Sequence, residues 1–333
     1  MGNAPQSSSE TFSPTVLAQM VEDAAHRIRA YVTETPVEAV PDLFPSGSPG
    51  LFFKLENLQQ TGSFKLRGAS NKILSLTVDQ AARGVIAASN GNHGLGVAAA
   101  SRRAGIAAEV YVSAHVSPVK ARRIEEYGAR IQRAGDDPLD AELAARAAAA
   151  NQEKIFISPY NDAEVMAGQG TIAIELLRQL PHIDAIFVAV GGGGLIGGIG
   201  AYMKRVSPQT QIVGCWPQNS RVLYESMQAG RIIEIPEQPT LSESTAGGLE
   251  PGSVTLEICR NVIDCSVMVS EEEIFSAMQH VRAAKGWLIE GAAAVAVAAF
   301  LKHARDYAGK TVVAVICGGN VSPAVQRRLE TEP

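Results

Sequence analysis

Ala185-Ile186-Phe187-Val188-Ala189-Val190 runs straight into Gly191-Gly192-Gly193-Gly194-Leu195-Ile196-Gly197, and this junction decides the fold. A run apolar at every position predicts a strand buried on both faces, as in the centre of a parallel sheet. The glycines behind it let several backbone amides converge at the start of the next helix, where the helix dipole favours an anion. The run lacks the Lys-Ser/Thr of a P-loop and does not match Gly-x-Gly-x-x-Gly with a downstream ribose-binding acid. It therefore fits a single phosphate better than a dinucleotide.

Outward from this junction, short β-branched runs alternate with helical stretches. Strands are expected at Leu51–Leu55, Val85–Ala88, Glu109–Val112, Arg130–Arg133, Ile155–Ile157, Gln211–Cys215, Ser266–Val269 and Thr311–Ile316. Helices are expected at Ser63–Leu76, Asn92–Ala104, Pro118–Tyr127, Leu139–Asn151, Gly168–Gln179, Gly194–Val206 and Ser270–Ala284. Such alternation implies an α/β protein with parallel sheets flanked by helices. Glu234 to Ser253, rich in Pro and Gly, is the most loop-like interior stretch. Gly291–Leu301 is Ala- and Val-rich and too short to span a bilayer, so it predicts a buried helix.

The 333 residues suffice for two domains, and 46% hydrophobic with 19% charged residues describes a globular protein. A net charge of −5 argues against nucleic-acid or anionic-membrane partners. Cys215, Cys259, Cys265 and Cys317 have neither disulfide-framework nor zinc spacing and read as reduced thiols. Met1 to Pro14 lacks the basic start and apolar core of a signal peptide and reads as a disordered tail of a cytoplasmic protein.

Three further segments carry chemistry. In Thr61-Gly62-Ser63-Phe64-Lys65-Leu66-Arg67-Gly68-Ala69, a lysine at a helix start sits in a field that disfavours its ammonium form, as an amine nucleophile requires. Taken alone, it reads as a surface lysine on a capped helix. Ser89-Asn90-Gly91-Asn92-His93-Gly94 follows a strand and offers a turn for a carboxylate or phosphate, or simply a strand–helix connection. Cys317-Gly318-Gly319-Asn320 ends a strand where α/β sheets bind ligands, although a buried structural cysteine is the plainer reading.

Together with Ala167-Gly168-Gln169-Gly170-Thr171, these segments lie in the order and spacing of one family. The chain from about Val16 to Asn320 resembles the fold-type-II pyridoxal-phosphate enzymes, in the serine/threonine dehydratase and serine racemase branch. The resemblance implies a tryptophan-synthase-β-like fold of two parallel-sheet α/β domains with pyridoxal 5′-phosphate between them. Residues 15–83 and 162–333 would form the large cofactor-binding domain, and residues 84–161 a small mobile one. It further implies that Lys65 is the Schiff-base lysine, with Phe64 against the pyridine ring and Asn92 on the 3′-oxygen. Gly191, Gly192, Gly193 and Gly194, with the amide of Leu195, would cradle the phosphate. Cys317 would stand beside the ring nitrogen, where Ser is usual. Ser89, Asn90 and His93 would present the loop for the substrate α-carboxylate. A homodimer is also implied.

The implied reaction is loss of water from a β-hydroxy-α-amino acid. The substrate amine displaces Lys65, which then removes the Cα proton, and the β-hydroxyl leaves as water. The released enamine hydrolyses to a 2-oxo acid and ammonia. A β-replacement synthase or racemase is the enzymatic alternative, and a non-catalytic binding protein is the alternative from another class.

Three departures refine the expectation. Asn90 stands where racemising members carry Ser, so racemisation should be slow. Trp216 and Val222 occupy the family's cation-ligand positions, so no divalent metal site is expected. Thr245-Ala246-Gly247-Gly248-Leu249-Glu250 stands where Ala-Asp-Gly is common. The missing acid at Gly247, with Gly248 beside it, suggests a substrate larger than serine or threonine. In this loop the chain resembles hydroxyectoine-utilisation and phenylserine dehydratases.

Overall fold

The computed structural model describes residues 12–43 and 50–332. Its strands are β1 (Val37–Ala39), β2 (Gly50–Lys54), β3 (Val85–Ala88), β4 (Ala108–Val112), β5 (Arg130–Arg133), β6 (Ile155–Phe156), β7 (Ala185–Ala189), β8 (Gln211–Pro217), β9 (Cys265–Val269) and β10 (Thr311–Val315). They form two sheets, ordered β1-β2-β10-β7-β8-β9 and β5-β4-β3-β6. Every pairing is parallel except β1 with β2. β7 lies inside the larger sheet, and all five of its residues are buried, as an all-apolar strand requires.

β1 was not foreseen. It is a three-residue edge strand in a Pro-flanked stretch, too short to show an alternating pattern. The expected tail falls mostly on residues outside those described. Ser13, however, caps the helix Pro14–Ile28, its Oγ accepting the Val16 N–H at 3.4 Å, so helical order begins inside the expected 1–14 boundary. The helix expected from Gly168 starts earlier, at Ala163, where Asp162 caps it by accepting the N–H groups of Glu164 and Val165.

That helix, Ala163–Gln179, determines where the site is built. A methyl group on Gly168 would stand 2.6 Å from the Arg67 carbonyl oxygen, and one on Gly170 would stand 2.7 Å from the Gly198 carbonyl oxygen. The helix thus lies in backbone contact with Lys65–Leu74 on one side and Gly194–Val206 on the other. The segment Ala167–Thr171 acts here in packing: the Gln169 Oε1 accepts the Gly68 N–H at 3.1 Å.

A buried ion cluster locks the same helix to the Lys65 helix. Arg67 donates through Nε and Nη2 to the two Glu56 oxygens at 2.7 and 2.8 Å, and through Nη1 and Nη2 to those of Glu175 at 2.6 and 2.8 Å. Lys54, in β2, reaches Glu175 at 2.6 Å and the Thr35 carbonyl at 2.6 Å. Two cations and two anions balance, and no side chain of the four is more than 7% exposed. Burial pushes the Glu56 carboxyl up, but the Arg67 guanidinium overrides this and holds it below the usual carboxylate range.

Removing one partner from such a cluster strands a buried charge. We expect Glu175→Gln to cost about 3–5 kcal/mol, seen as a large drop in the urea midpoint. Arg178→Ala, which breaks the exposed pair to Glu34 on the same helix, should move the midpoint little.

Candidate active site

Lys65 opens its helix and keeps partial solvent access. Its Nζ donates to the Pro159 carbonyl at 2.8 Å. The next residue, Tyr160, lies under the glycine run: a methyl on Gly192 would meet its ring at 2.4 Å. One dipeptide therefore touches both the lysine amine and the glycine loop. A second dipeptide joins the glycine loop to Asn92 instead. Ser244 lies 3.3 Å from the Asn92 Nδ2, while Thr245 packs against Gly191.

The glycine loop has the conformation its sequence permits. Gly193 sits at φ +87°, a left-handed geometry that other residues resist, immediately before the helix Gly194–Val206. The first N–H groups of that helix have no partners within it and are available to an anion. Gly191 and Gly192 remain partly accessible from the cleft.

Cys317 is brought to Lys65 by the backbone. The Phe64 N–H donates to the Cys317 carbonyl at 3.0 Å, and Ser63 and Gly318 form a β-bridge. Phe64 itself is buried. Burial pushes the Cys317 thiol well above its ordinary pKa, so near neutral pH it is a thiol and gives the amine little charge. Burial also pushes the Lys65 amine down to about 8, with Cys317 and Glu290 opposing the shift.

Glu290 is one of the residues that sequence reasoning missed. It is 6% exposed, at the N-cap of the helix Gly291–His303, and both its oxygens accept from the Asn92 Nδ2 at 2.9 Å. Burial raises its pKa against the hydrogen bonds that favour its carboxylate form. A buried acid just before an alanine-rich helix was a usable signal; its partners, Asn92 at 198 positions and Asn320 at 30, were not.

The loop after β3 is more tied down than its sequence suggested. Asn90 spends both ends of its amide on Ser113, the Nδ2 donating to Oγ and the Oδ1 accepting the backbone N–H, each at 3.0 Å. The Ser89 Oγ accepts the Gly91 N–H at 3.1 Å. His93 is buried, with Nε2 against the Ile157 carbonyl at 2.8 Å, which makes Nε2 the protonated nitrogen and leaves Nδ1 unpartnered. Burial, with Lys65 nearby, lowers its pKa to about 3, so the ring is neutral. Gly247 and Gly248 are exposed with open space around them, and Gly247 adopts φ +129°, a conformation the family's Asp would resist. Trp216 and Val222 are both buried, and Trp216 stacks edge-on against Tyr224 at 5.6 Å. Among the described residues no group of three or more His, Cys, Asp or Glu could hold a metal. No helix among them is long and apolar enough to cross a membrane.

This donor set suits pyridoxal phosphate: a low-pKa amine, glycine amides at a helix start, a neutral thiol and a carboxamide converge on one cleft. The family model for pyridoxal-phosphate dependent enzymes matches residues 28–318, and the chain belongs to that family, in its fold-type-II serine/threonine dehydratase group. Among its relatives, the L-threonine ammonia-lyase of Thermotoga maritima is 38% identical over 271 residues, 81% of this chain and 67% of that one. The catabolic L-threonine dehydratase of Staphylococcus aureus is 36% identical over 305 residues, 90% of this chain and 88% of that one. The processed threonine deaminase isoform 2 of Solanum lycopersicum superposes with a TM-score of 0.90 at 28% identity, covering 99% of this chain and 95% of that one. Maize serine racemase follows at 0.87 and 29%, covering 93% and 95%.

A lysine with a lowered pKa should capture the cofactor faster as pH rises, because only the neutral amine is nucleophilic. Uptake of pyridoxal phosphate by the apoprotein, trapped with borohydride, is expected to climb to about pH 8 and level off above it. A climb that continues towards 10.5, the ordinary lysine value, would contradict the burial effect.

Proposed function

We propose that the protein eliminates water from a β-hydroxy-α-amino acid of the serine/threonine type, giving a 2-oxo acid and ammonia. The observation that carries this is the Lys65 amine, largely desolvated, held on the Pro159 carbonyl and one dipeptide away from the glycine loop. The names of the relatives agree, being threonine ammonia-lyases and dehydratases.

Lys65 would hold the cofactor, Gly191–Gly194 and the Leu195 amide its phosphate, Asn92 its 3′-oxygen and Cys317 its ring nitrogen, with Phe64 against the ring. When bound, pyridoxal phosphate supplies an electron sink for the carbon that loses its proton. Lys65 is the base: its lowered pKa leaves the freed amine substantially neutral near pH 8, ready to take the Cα proton. The Pro159 carbonyl accepts from the amine and holds it in place between steps. The neutral Cys317 thiol would offer the ring nitrogen no charge, which would make the bound group a weaker electron sink and would suit elimination.

The loop from Ser89 to His93 would take the substrate carboxylate through the first N–H groups of the helix Asn92–Ala104, since the His93 ring has no N–H left to donate. Asn90, fixed on Ser113, is no proton carrier, which supports elimination over racemisation. The open, side-chain-free stretch at Gly247 and Gly248 supports a substrate with a larger β-substituent, such as phenylserine or hydroxyectoine.

A panel of serine, threonine, 3-hydroxyaspartate, phenylserine and hydroxyectoine, read by ammonia release, tests both levels. Activity should vanish in Lys65→Ala. A bulky substrate should exceed threonine by about tenfold or more in kcat/KM, equivalent to about 1.4 kcal/mol of transition-state binding. Threonine matching or exceeding the bulky substrates would remove the finer reading and keep the dehydratase. No ammonia from any of the five would count against both.

A further inference from the structure

We infer that Arg123, Asn320 and Glu290 form a directed hydrogen-bond chain that fixes which way the Asn92 amide faces, making Arg123 and Glu290 positioning residues for its donor. The inference rests on the reading above, that Asn92 faces the cofactor. A buried carboxamide can turn over at little steric cost, because its oxygen and nitrogen are almost the same size. Only its partners decide its orientation.

Here the partners leave no choice. Arginine can only donate, and the Arg123 Nη1 donates to the Asn320 Oδ1 at 3.0 Å. The Asn320 Nδ2 is thereby turned to donate to the Asn92 Oδ1 at 2.6 Å and the Thr61 carbonyl at 3.0 Å. The Asn92 Nδ2 then faces Glu290, whose oxygens accept from it at 2.9 Å, and the Asn320 backbone N–H donates to the same carboxylate at 3.2 Å. Every Glu290 oxygen thus meets an N–H, so the geometry uses the carboxylate as an acceptor. Turning over either amide would set donor against donor or acceptor against acceptor. A cation at one end and a carboxylate at the other give the chain its direction.

The Asn92 Nδ2 carries two hydrogens. One serves Glu290, and the other has only a 3.3 Å contact to the exposed Ser244, which a cofactor oxygen would readily replace. The chain also joins the two halves of the cleft. Arg123 lies on the helix Pro118–Glu126 beside β4 and β5, whereas Asn320 and Glu290 adjoin the sheet of β7 and β10.

The test is made on the holoenzyme with pyridoxal phosphate, measuring the cofactor dissociation constant and the visible circular dichroism of the bound form. Glu290→Gln sets a donor against the Asn92 Nδ2, and Arg123→Met removes the donor that orients Asn320. Arg123 is only partly buried, so the second variant tests the chain even if the first fails to fold. Each is expected to weaken cofactor binding by about tenfold, the scale of one hydrogen bond to a charged group, and to change the dichroic band. In an Asn92→Ala background both effects should disappear. Equal losses with and without Asn92, or no loss in either background, would overturn the chain while leaving the cofactor site standing. A wild-type protein that takes up no cofactor would overturn the site and the chain together.

Discussion

The four buried charges of Lys54, Glu56, Arg67 and Glu175 set the position of everything the site needs. Arg67 lies two residues after Lys65, and Glu175 lies on the helix Ala163–Gln179, whose glycines also touch the helix that begins at the glycine loop. The cluster therefore fixes the lysine helix relative to the helix that would receive a phosphate. A network of this kind is stable only when fully paired, and it offers one geometry rather than several. The backbone contacts at Gly168 and Gly170 let the helices approach closely enough for that geometry to form.

The chemistry of the cleft follows from burial, which outweighs the nearby Glu290 carboxylate. Lys65 and Cys317 are both pushed by desolvation towards their neutral forms, and His93 is neutral as well. A neutral amine can attack and can accept a proton, while a neutral thiol offers a ring nitrogen no formal charge. The one acid in the site, Glu290, is used up in holding carboxamides and backbone N–H groups. Elimination needs a base, an electron sink and a leaving hydroxyl, and in the proposed reaction Lys65 would be that base.

Much of this was legible in the sequence, because it depends on local pattern. The all-apolar β7 and the glycines after it pointed to a parallel sheet with a strand running into a helix, and the alternation of strands and helices located every other strand except β1. The contributions of Glu290, Tyr160 and Ser113 were not legible. Each acts through a partner far away in the chain: Glu290 on Asn92, Tyr160 under Gly192, Ser113 on Asn90. A one-dimensional pattern carries no information about such contacts. The edge strand β1 escaped because three residues between prolines have no readable period, and Pro14–Ile28 because its cap lay within a polar stretch that reads as a tail. Arg67 was visible only as part of a motif; that it anchors the fold depends on Glu175, 108 positions away.

The central claim is that Lys65 carries pyridoxal phosphate. Borohydride reduction of the holoprotein, proteolysis and mass-spectrometric mapping of the reduced adduct test it directly. The adduct is expected on the peptide containing Ser63-Phe64-Lys65-Leu66-Arg67, at Lys65 alone. An adduct confined to another lysine, or cofactor bound with no reducible linkage, would contradict it.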